Sequence, residues 1–293
     1  METIHPEKVT TDDGTATLRH PLFGDTYHSL HGAATESEHV FIRNGLAAAG
    51  RDSVRILEAG FGSGLNAWLT LEYARRHGIR IDYRAVERYP VDAETACGLG
   101  YTEDTLFADL HRSAWDRELP LAEGFTLTKY AADLTEPGRE WERHTYDLVY
   151  FDAFAPATQP EMWTADIFRR IFRILAPGGA LVTYSARGTV KQALREAGFT
   201  VRRLPGAPGK HHMLRASGVL PGSGPPDPRP ADTAVRLRRG TRCRRQDDDG
   251  ADTLPAIRSV GPIARCTAGQ GKPAFLFRPF LLRSGCYRYL YYL

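Results

Sequence analysis

A run of three alternating glycines within residues 54–66 is the most informative segment of this sequence. An apolar segment ends in Glu58, glycines follow at positions 60, 62 and 64, and a helical pattern begins near Leu65. Glycine allows positive φ angles and a close approach of the backbone to a ligand. The first turn of a helix also presents unpaired N–H groups and a partial positive charge. The segment therefore predicts a strand, a tight turn and a helix N-terminus that together bind a ligand.

The spacing of the glycines separates this loop from two common phosphate-binding loops. The pattern G-x-G-x-G lacks the last spacing of the dinucleotide fingerprint G-x-G-x-x-G, and it lacks the Gly-Lys-Ser/Thr ending of a P-loop. The carboxylate of Glu58 would repel a pyrophosphate, whereas it could hold a cationic or hydroxylated ligand. The loop therefore favours a nucleoside such as S-adenosylmethionine over NAD.

Strand and helix patterns alternate along the chain from residue 35 to residue 216. The predicted strands cover residues 54–58, 79–87, 125–130, 146–151, 180–184, 199–204 and 211–216. Residues 1–31 are predicted to be a hairpin or an irregular lead-in, 35–46 a helix, and 98–121 a helical, loop-rich connection. Such alternation is typical of an α/β fold. We predict a Rossmann-like, seven-stranded, mostly parallel sheet with helices on both faces, which binds its ligand beyond the carboxyl ends of the strands.

The composition of the chain changes after residue 217. Of the 293 residues, the first 217 carry 25 Lys or Arg and 29 Asp or Glu, whereas the remainder carry 13 and 6. Residues 222–230 are rich in Pro, Gly and Ser, and an arginine cluster at 236–245 could bind polyanions. We therefore divide the chain into a lead-in with a helix (1–50), a ligand-binding domain (51–217) and an irregular, basic, Pro- and Arg-rich tail (218–293). The sequence leaves open whether the tail is ordered.

Several classes of protein are not supported by the sequence. No apolar run approaches the length that spans a membrane, and the N-terminus has no basic-then-apolar signal. The four cysteines form no C-x-x-C pair, and the histidines near the N-terminus lack carboxylates at metal-ligand spacing. We therefore expect no membrane attachment, no metal, no disulfide framework and a cytoplasmic location.

Acidic residues follow four of the predicted strands. They are Glu58, Glu87, Asp133 and Asp152. Because the carboxyl ends of parallel strands meet at one edge of a sheet, we expect these side chains to lie above the glycine loop. Glu87 can accept hydrogen bonds from ribose hydroxyls, Asp133 can accept one from an adenine amine, and Glu58 can orient the loop or meet an ammonium group. Each acid alone could instead cap a helix or be solvated, but four together favour a nucleoside site.

Residues 152–156 are the expected reaction side of that site. The carboxylate of Asp152, the ring of Phe154 and the fixed turn at Pro156 can hold a planar nitrogenous substrate. An amine must lose its proton to act as a nucleophile, and Asp152 could accept that proton. The alternative is that Asp152 only caps a turn. Lys210, which follows a Pro-Gly turn, is either a phosphate contact or a solvated lysine.

These motifs resemble those of the class I S-adenosylmethionine-dependent methyltransferases. More narrowly, the chain is similar to the tRNA wobble-uridine methyltransferase family, which comprises the methyltransferase half of bifunctional MnmC and its stand-alone MnmD type. The resemblance covers roughly residues 20–217, and the matching segments are 27–29, 32–42, 58–66, 87–90, 152–156, 160–163, 197–199 and 208–216. The Asp-x-Phe-Ala-Pro and Pro-x-Met-Trp elements make the match specific, whereas the glycine loop alone would be weak.

The resemblance implies N-methylation of 5-aminomethyl-2-thiouridine at the tRNA wobble position, which gives the 5-methylaminomethyl form. It implies S-adenosyl-L-methionine as cofactor and tRNA as partner. No FAD is expected, because the tail is too short for an oxidase half and carries no second glycine fingerprint. The implied catalytic residue is Asp152. The implied cofactor contacts are Glu58, Gly60, Phe61, Gly62, Gly64, Asn66, Glu87 and Asp133, and the implied substrate contacts are Tyr27, Glu36, Phe154, Pro156 and Lys210.

Two positions depart from the family pattern. Ala153 stands where glycine is frequent, which could tighten the pocket by one methyl group, and His211-His212 replaces a usual Arg-Glu pair, which puts a nucleic-acid or structural contact in doubt. Two alternative functions stay open. One is a class I methyltransferase that acts on another RNA base or a small amine, and the other is an inactive methyltransferase fold that binds RNA or a protein. The acids at four strand ends favour an enzyme.

Overall fold

A mixed eight-stranded sheet organises residues 6–218, which the computed structural model describes together with a short strand pair near the C-terminus. The strands are β1 (Glu7–Thr10), β2 (Ala16–Arg19), β3 (Ser53–Ala59), β4 (Arg80–Glu87), β5 (Glu118–Ala122), β6 (Phe125–Ala131), β7 (Tyr146–Phe151), β8 (Leu175–Thr183), β9 (Phe199–Pro205), β10 (His212–Gly218) and the antiparallel pair β11 (Phe280–Leu281) and β12 (Tyr287–Arg288). The helices are α1 (Ala33–Ser37), its π-helical continuation Glu38–Ala47, α2 (Leu65–His77), α3 (Ala93–Cys97), α4 (Thr105–Arg112), α5 (Ala165–Ile174) and α6 (Gly188–Glu196), with 3₁₀ turns at Glu140–Arg143 and Pro160–Trp163. The rest of the predicted tail, with its linker and arginine cluster, lies outside the described residues.

The sheet has the strand order β5-β6-β4-β3-β7-β8-β10-β9. The five strands from β6 to β8 are parallel, whereas β5 and β10 run antiparallel to their neighbours. The chain moves outward from β3 through β4 on one side and from β7 to β8 on the other, so the strand order reverses between β3 and β7. A crevice forms beyond the carboxyl ends of the strands at such a reversal. The predicted Rossmann-like α/β fold is confirmed.

The prediction of seven strands is wrong by one strand. The additional strand, β5, begins within residues 98–121, which we predicted to be a helical, loop-rich connection and of which α4 is the helical part. The first three residues of β5, Glu118 to Pro120, are exposed, so the strand shows no continuous or alternating apolar pattern. It lies at the edge of the sheet. Pro120 has no N–H to donate, and an edge strand tolerates this loss whereas a central strand does not.

Hydrophobic side chains cover both faces of the sheet, as the alternation along β7 illustrates. All six residues of β7 are buried. Leu148 and Tyr150 pack on the face that carries α2 and the π-helix, whereas Val149 and Phe151 pack on the face that carries α5 and α6. Successive side chains of a strand point to opposite faces. Burial on both faces therefore explains why β7 is a nearly continuous apolar run in the sequence.

The N-terminal lead-in adopts the hairpin, which was one of its two predicted forms, and continues into the predicted helix. β1 pairs antiparallel with β2, and α1 continues as the π-helix Glu38–Ala47. A Cβ added to Gly45 would lie 3.2 Å from the side chains of Tyr150 and Val182, so the π-helix packs directly on the sheet. This packing fixes the position of Glu36, which is buried in α1.

Candidate active site

A cavity of about 190 Å³ opens at the carboxyl edge of the sheet, beside the ends of β3, β4, β6 and β7. Predicted site residues that line it are Tyr27, Glu36, Gly60, Phe61, Gly62, Glu87, Asp133, Asp152, Phe154 and Lys210. The other four predicted site residues, Glu58, Gly64, Asn66 and Pro156, lie outside its lining. The fold thus brings the carboxylates of Glu87 and Asp152 and the glycine loop, residues 60–64, to one cavity.

Two glycines of this loop occupy positions where a side chain would collide with the walls of the site. Gly60 has a φ of 93°, and a Cβ added to it would lie 2.6 Å from the backbone oxygen of Asp152. Gly62 has a φ of 51°, and its Cβ would lie 2.8 Å from Cδ1 of Tyr27. Both the positive φ and the close approach require glycine. The loop consequently exposes bare backbone to the cavity.

Glu87, the last residue of β4, is held by backbone N–H groups on both sides of its carboxylate. Gly62 donates to Oε2 at 3.0 Å and Tyr89 donates to Oε1 at 2.7 Å. Burial raises the pKa of Glu87 above its usual range, while these N–H groups act in the opposite direction. Each carboxylate oxygen can accept a further hydrogen bond. Glu87 is therefore an immobilised acceptor at the cavity wall.

Asp133, which follows β6, is more heavily engaged than the sequence suggests. Arg88 donates to its Oδ2 at 2.7 Å. The backbone N–H and the hydroxyl of Thr135 donate to its Oδ1 at 2.8 and 2.6 Å. The carboxylate is neutralised by Arg88, so this end of the cavity presents an ion pair rather than a free acid.

Asp152 directly follows β7, and among the residues that the structure describes no such cation is in hydrogen-bond contact with it. Its Oδ2 accepts a hydrogen bond of 2.8 Å from the side-chain amide of Asn66. Burial raises the pKa of Asp152 to about 7, and the charge of Glu36 adds to this rise, while the Asn66 hydrogen bond and the charge of Lys210 lower it. A carboxyl group with this pKa exchanges a proton readily near neutral pH.

An ion pair between buried Glu36 and half-buried Lys210 lines the cavity on the side of α1. Glu36 pairs with the ammonium group of Lys210, and the backbone N–H of Ser29 donates to Glu36 Oε2 at 3.0 Å. The Lys210 ammonium also lies 4.2 Å from the ring centroid of Tyr184. Tyr184 was not among the predicted site residues, although it ends the predicted strand 180–184. Its hydroxyl donates to the Ala153 carbonyl at 2.9 Å.

Aromatic rings form the opposite wall. The ring of Phe154 lies 5.0 Å from that of Phe23 and 5.1 Å from that of Tyr27, measured between centroids. Trp163 Nε1 donates to the Phe154 carbonyl at 2.8 Å, which fixes the loop after β7. Phe23 and Tyr89 also line the cavity, and neither was among the predicted site residues. Both lie in loops, where no periodic pattern assigns a side chain to a face.

Three of the residues outside the lining lie beneath or beside the loop rather than against the cavity. Glu58 and Asn66 are buried, and the Asn66 amide donates to Glu58 Oε1 at 2.9 Å. Gly64 precedes α2, and a Cβ added to it would lie 2.6 Å from Nε2 of His111. The fourth, Pro156, is half-buried just beyond Ala155, which does line the cavity.

Within the described residues, no group of three or more His, Cys, Asp or Glu side chains could hold a metal ion. None of the helices described is long and apolar enough to cross a lipid bilayer.

Known proteins resemble this chain both in sequence and in fold. A family model described as S-adenosyl-L-methionine-dependent methyltransferase matches residues 105–218. The tRNA 5-methylaminomethyl-2-thiouridine biosynthesis bifunctional protein MnmC of Ralstonia nicotianae is 34% identical over 210 residues, which are 67% of this chain and 32% of that protein. The protein of the same name from Aromatoleum aromaticum is 35% identical over 246 residues, which are 77% of this chain and 37% of that protein.

The chain thus spans about a third of the length of these curated relatives. The crystal structure of MNMC2 from Aquifex aeolicus superposes with a TM-score of 0.61 and 28% sequence identity, over 76% of this chain and 74% of that one. The sequence resemblance, the family model and this structure agree. The chain therefore belongs to the S-adenosyl-L-methionine-dependent methyltransferases of the MnmD type, which are related to the methyltransferase half of MnmC.

Proposed function

We propose that this chain methylates the aminomethyl nitrogen of 5-aminomethyl-2-thiouridine at the wobble position of tRNA. The choice of tRNA follows the names of the relatives, which describe 5-methylaminomethyl-2-thiouridine biosynthesis. The observation that carries the proposal is the Asp152 carboxyl group. It lines the same cavity as Glu87 and Gly62, and its pKa is about 7.

The walls of the cavity have chemistry that suits S-adenosylmethionine. A Cβ at Gly60 or Gly62 would collide with the Asp152 backbone or the Tyr27 ring, so glycine is required for the close packing of this loop, and the immobilised carboxylate of Glu87 can accept hydrogen bonds from a ribose. We infer that the nucleoside is held by Gly60, Phe61, Gly62 and Glu87. The Asp133–Arg88 ion pair would lie beside its adenine ring. When bound, S-adenosylmethionine supplies a methyl group that its sulfonium centre activates for transfer.

The residues of this chain would prepare the nucleophile. A primary amine arrives mostly as an ammonium ion at neutral pH, and it must lose a proton to attack. Asp152 in its ionised form accepts that proton, and because its pKa is about 7 it is largely ionised only above that pH. The rings of Phe154 and Tyr27 would stack on the uracil or exclude water from it. Glu36 and Lys210 would hold the substrate at the mouth of the cavity. Positioning of the amine supplies much of the rate.

A direct test uses tRNA isolated from a strain that lacks the methyltransferase and therefore carries the aminomethyl nucleoside. Incubation with the purified chain and S-adenosylmethionine should convert that nucleoside to the methylaminomethyl form, as read by mass spectrometry of the digested tRNA. The matched control is Asp152→Asn, which should leave the nucleoside unconverted.

Two outcomes would overturn the proposal in different ways. If the chain binds S-adenosylmethionine in a calorimeter but leaves the tRNA unchanged and methylates a small primary amine, the substrate class is wrong. If it does not bind S-adenosylmethionine, the fold serves only as a binding scaffold.

A further inference from the structure

One side-chain amide links two carboxyl groups at the floor of the cavity. Asn66 Nδ2 lies 2.9 Å from Glu58 Oε1 and 2.8 Å from Asp152 Oδ2. An amide nitrogen carries two hydrogens, so it donates one to each carboxyl group. Glu58 comes from β3, Asn66 from the first turn of α2, and Asp152 from the end of β7. The bridge therefore ties the three elements that meet beneath the glycine loop.

The two bridged carboxyl groups have different surroundings. Asp152 lines the cavity, and its Oδ1 accepts no hydrogen bond from the described residues. Glu58 is fully buried, and its Oε2 has no hydrogen-bond partner there. The titratable groups around Glu58 are Tyr83 on β4, Tyr150 on β7, and the carboxyl groups of Asp152 and Glu87. None of these can supply a positive charge.

A buried carboxyl group without a cationic partner takes up a proton rather than staying ionised. Burial, with the nearby charges of Asp152 and Glu87, raises the pKa of Glu58 well above its usual range, although the hydrogen bond from Asn66 and the nearby hydroxyl of Tyr83 oppose this rise. The described residues include no ion pair to Glu58, whereas Glu36, also buried, pairs with Lys210. A second negative charge at Glu58 would also repel the Asp152 carboxylate across a single amide.

We propose that Glu58 is a neutral carboxylic acid that positions Asn66, and that Asn66 in turn holds Oδ2 of Asp152 so that Oδ1 faces the substrate. This inference deepens the proposed function and rests on it, since it assumes that Asp152 accepts a proton. It reassigns Glu58 and Asn66, which the sequence suggests as cofactor contacts. Both become positioning residues that act on the substrate through Asp152.

The test compares Glu58→Gln, which keeps the shape and the neutral charge of the side chain, with Glu58→Ala, which removes the partner of Asn66. We expect Glu58→Ala to lower kcat by about 30- to 100-fold, because a displacement of about 1 Å at a reacting group costs on this order. Glu58→Gln should rescue most of that loss.

Asn66→Ala should resemble Glu58→Ala and should shift the acidic limb of the kcat/KM pH profile to higher pH, since the amide favours the ionised form of Asp152. Affinity for S-adenosylmethionine, measured by calorimetry, should change by less than about threefold in all three variants, which also shows that they fold.

A second readout is independent of turnover. The infrared difference spectrum between the unmodified chain and Glu58→Gln at mildly alkaline pH should contain a protonated carboxylic acid band, and ¹³C labelling of glutamate should move it. Absence of that band overturns the inference, and so does a Glu58→Gln variant as impaired as Glu58→Ala. If the tRNA is not methylated at all but the band is present, the proposed function fails while the neutral state of Glu58 stands.

Discussion

The two ends of β7 carry two aspartates with opposite properties. Asp147, near the amino end, pairs with Arg51 at 2.6 Å and Arg55 at 3.0 Å, and the hydrogen bonds and charge of these arginines hold the pKa of Asp147 below its usual range against the effect of burial. Asp152, just past the carboxyl end, has only an amide as hydrogen-bond partner among the described residues, and burial raises its pKa to about 7. Neighbouring cations keep Asp147 ionised at neutral pH, whereas no described cation contacts Asp152 directly. The same strand thus places an arginine-paired carboxyl group and the carboxyl group that we propose as the proton acceptor at opposite edges of one sheet.

The contrast between Asp147 and Asp152 is tested most directly by neutralising each aspartate in turn. Asp152→Asn should lower kcat by about 10²- to 10⁴-fold, the usual contribution of a general base, with the affinity for S-adenosylmethionine almost unchanged. Asp147→Asn, the matched control, should keep kcat close to that of the unmodified chain. Single-turnover kinetics and calorimetry measure both quantities. Equal losses of turnover and of cofactor affinity in Asp152→Asn would contradict its role as a base.

The glycine loop provides a second test, which concerns binding rather than proton transfer. Gly60→Ala should weaken binding of S-adenosylmethionine by about tenfold or more, because the new Cβ meets the Asp152 backbone oxygen at 2.6 Å and the positive φ is strained. Gly138→Ala is the control, since Gly138 has a similar φ of 77° but nothing within 4 Å of an added Cβ. Calorimetry measures the affinity of both variants for S-adenosylmethionine. The comparison separates the effect of the Cβ contact at position 60 from the effect of backbone strain, which both variants have. Similar affinities in both would contradict a ligand cradle at Gly60.

The stability of the two aspartate variants should change in opposite directions. The raised pKa of Asp152 means that the fold prefers its protonated form, so stability is lost as the pH rises from 3.8 to about 7. Asp152→Asn removes this cost and should stabilise the chain at neutral pH by about 1–3 kcal/mol.

The lowered pKa of Asp147 gives stability that is present above 3.8 and lost at lower pH. Asp147→Asn should therefore destabilise the chain by about 1–3 kcal/mol, as urea unfolding at neutral pH would measure. A stabilised Asp147→Asn would refute the comparison.

The smallest expected effect is a displacement of the pH profile. Lys210 lowers the pKa of Asp152 and Glu36 raises it. Lys210→Met should therefore move the acidic limb of kcat/KM to higher pH, and Glu36→Gln should move it to lower pH. Each shift should be on the order of half a unit to one unit, as expected for a charge that is a few ångströms away and partly screened. Shifts of the same sign in both variants would show that the limb belongs to another group.

The sequence predicts the part of the site that follows from strand order. Glu87 and Asp152 reach one cavity because parallel strands end at a common edge, and a strand followed by an acid is visible in the sequence. Glu58, which lies one residue before the end of β3, does not line that cavity. In the register of the sheet it lies beside Ala85 and Tyr150, two residues short of Glu87 and Asp152, so its side chain lies deeper in the molecule than theirs.

Other features depend on contacts between distant parts of the chain. Tyr184 belongs to the cavity wall because Lys210 lies over its ring, and Phe23 belongs to it because its ring packs against Phe154. No local sequence pattern predicts either contact. The edge strand β5 is also hidden, since its exposed residues and Pro120 give it no strand-like periodicity.

The contact between Gly60 and the Asp152 backbone has a mechanical consequence. Gly60 donates its N–H to Val86 at 3.0 Å, and Asp152 donates its own to Ala59 at 3.0 Å, so both peptides are also tied to the sheet. No side chain separates them, and a Cβ at position 60 would collide with the Asp152 backbone. The glycine loop and the peptide that carries Asp152 therefore depend on each other for their positions, so a substitution in either segment is expected to displace the other.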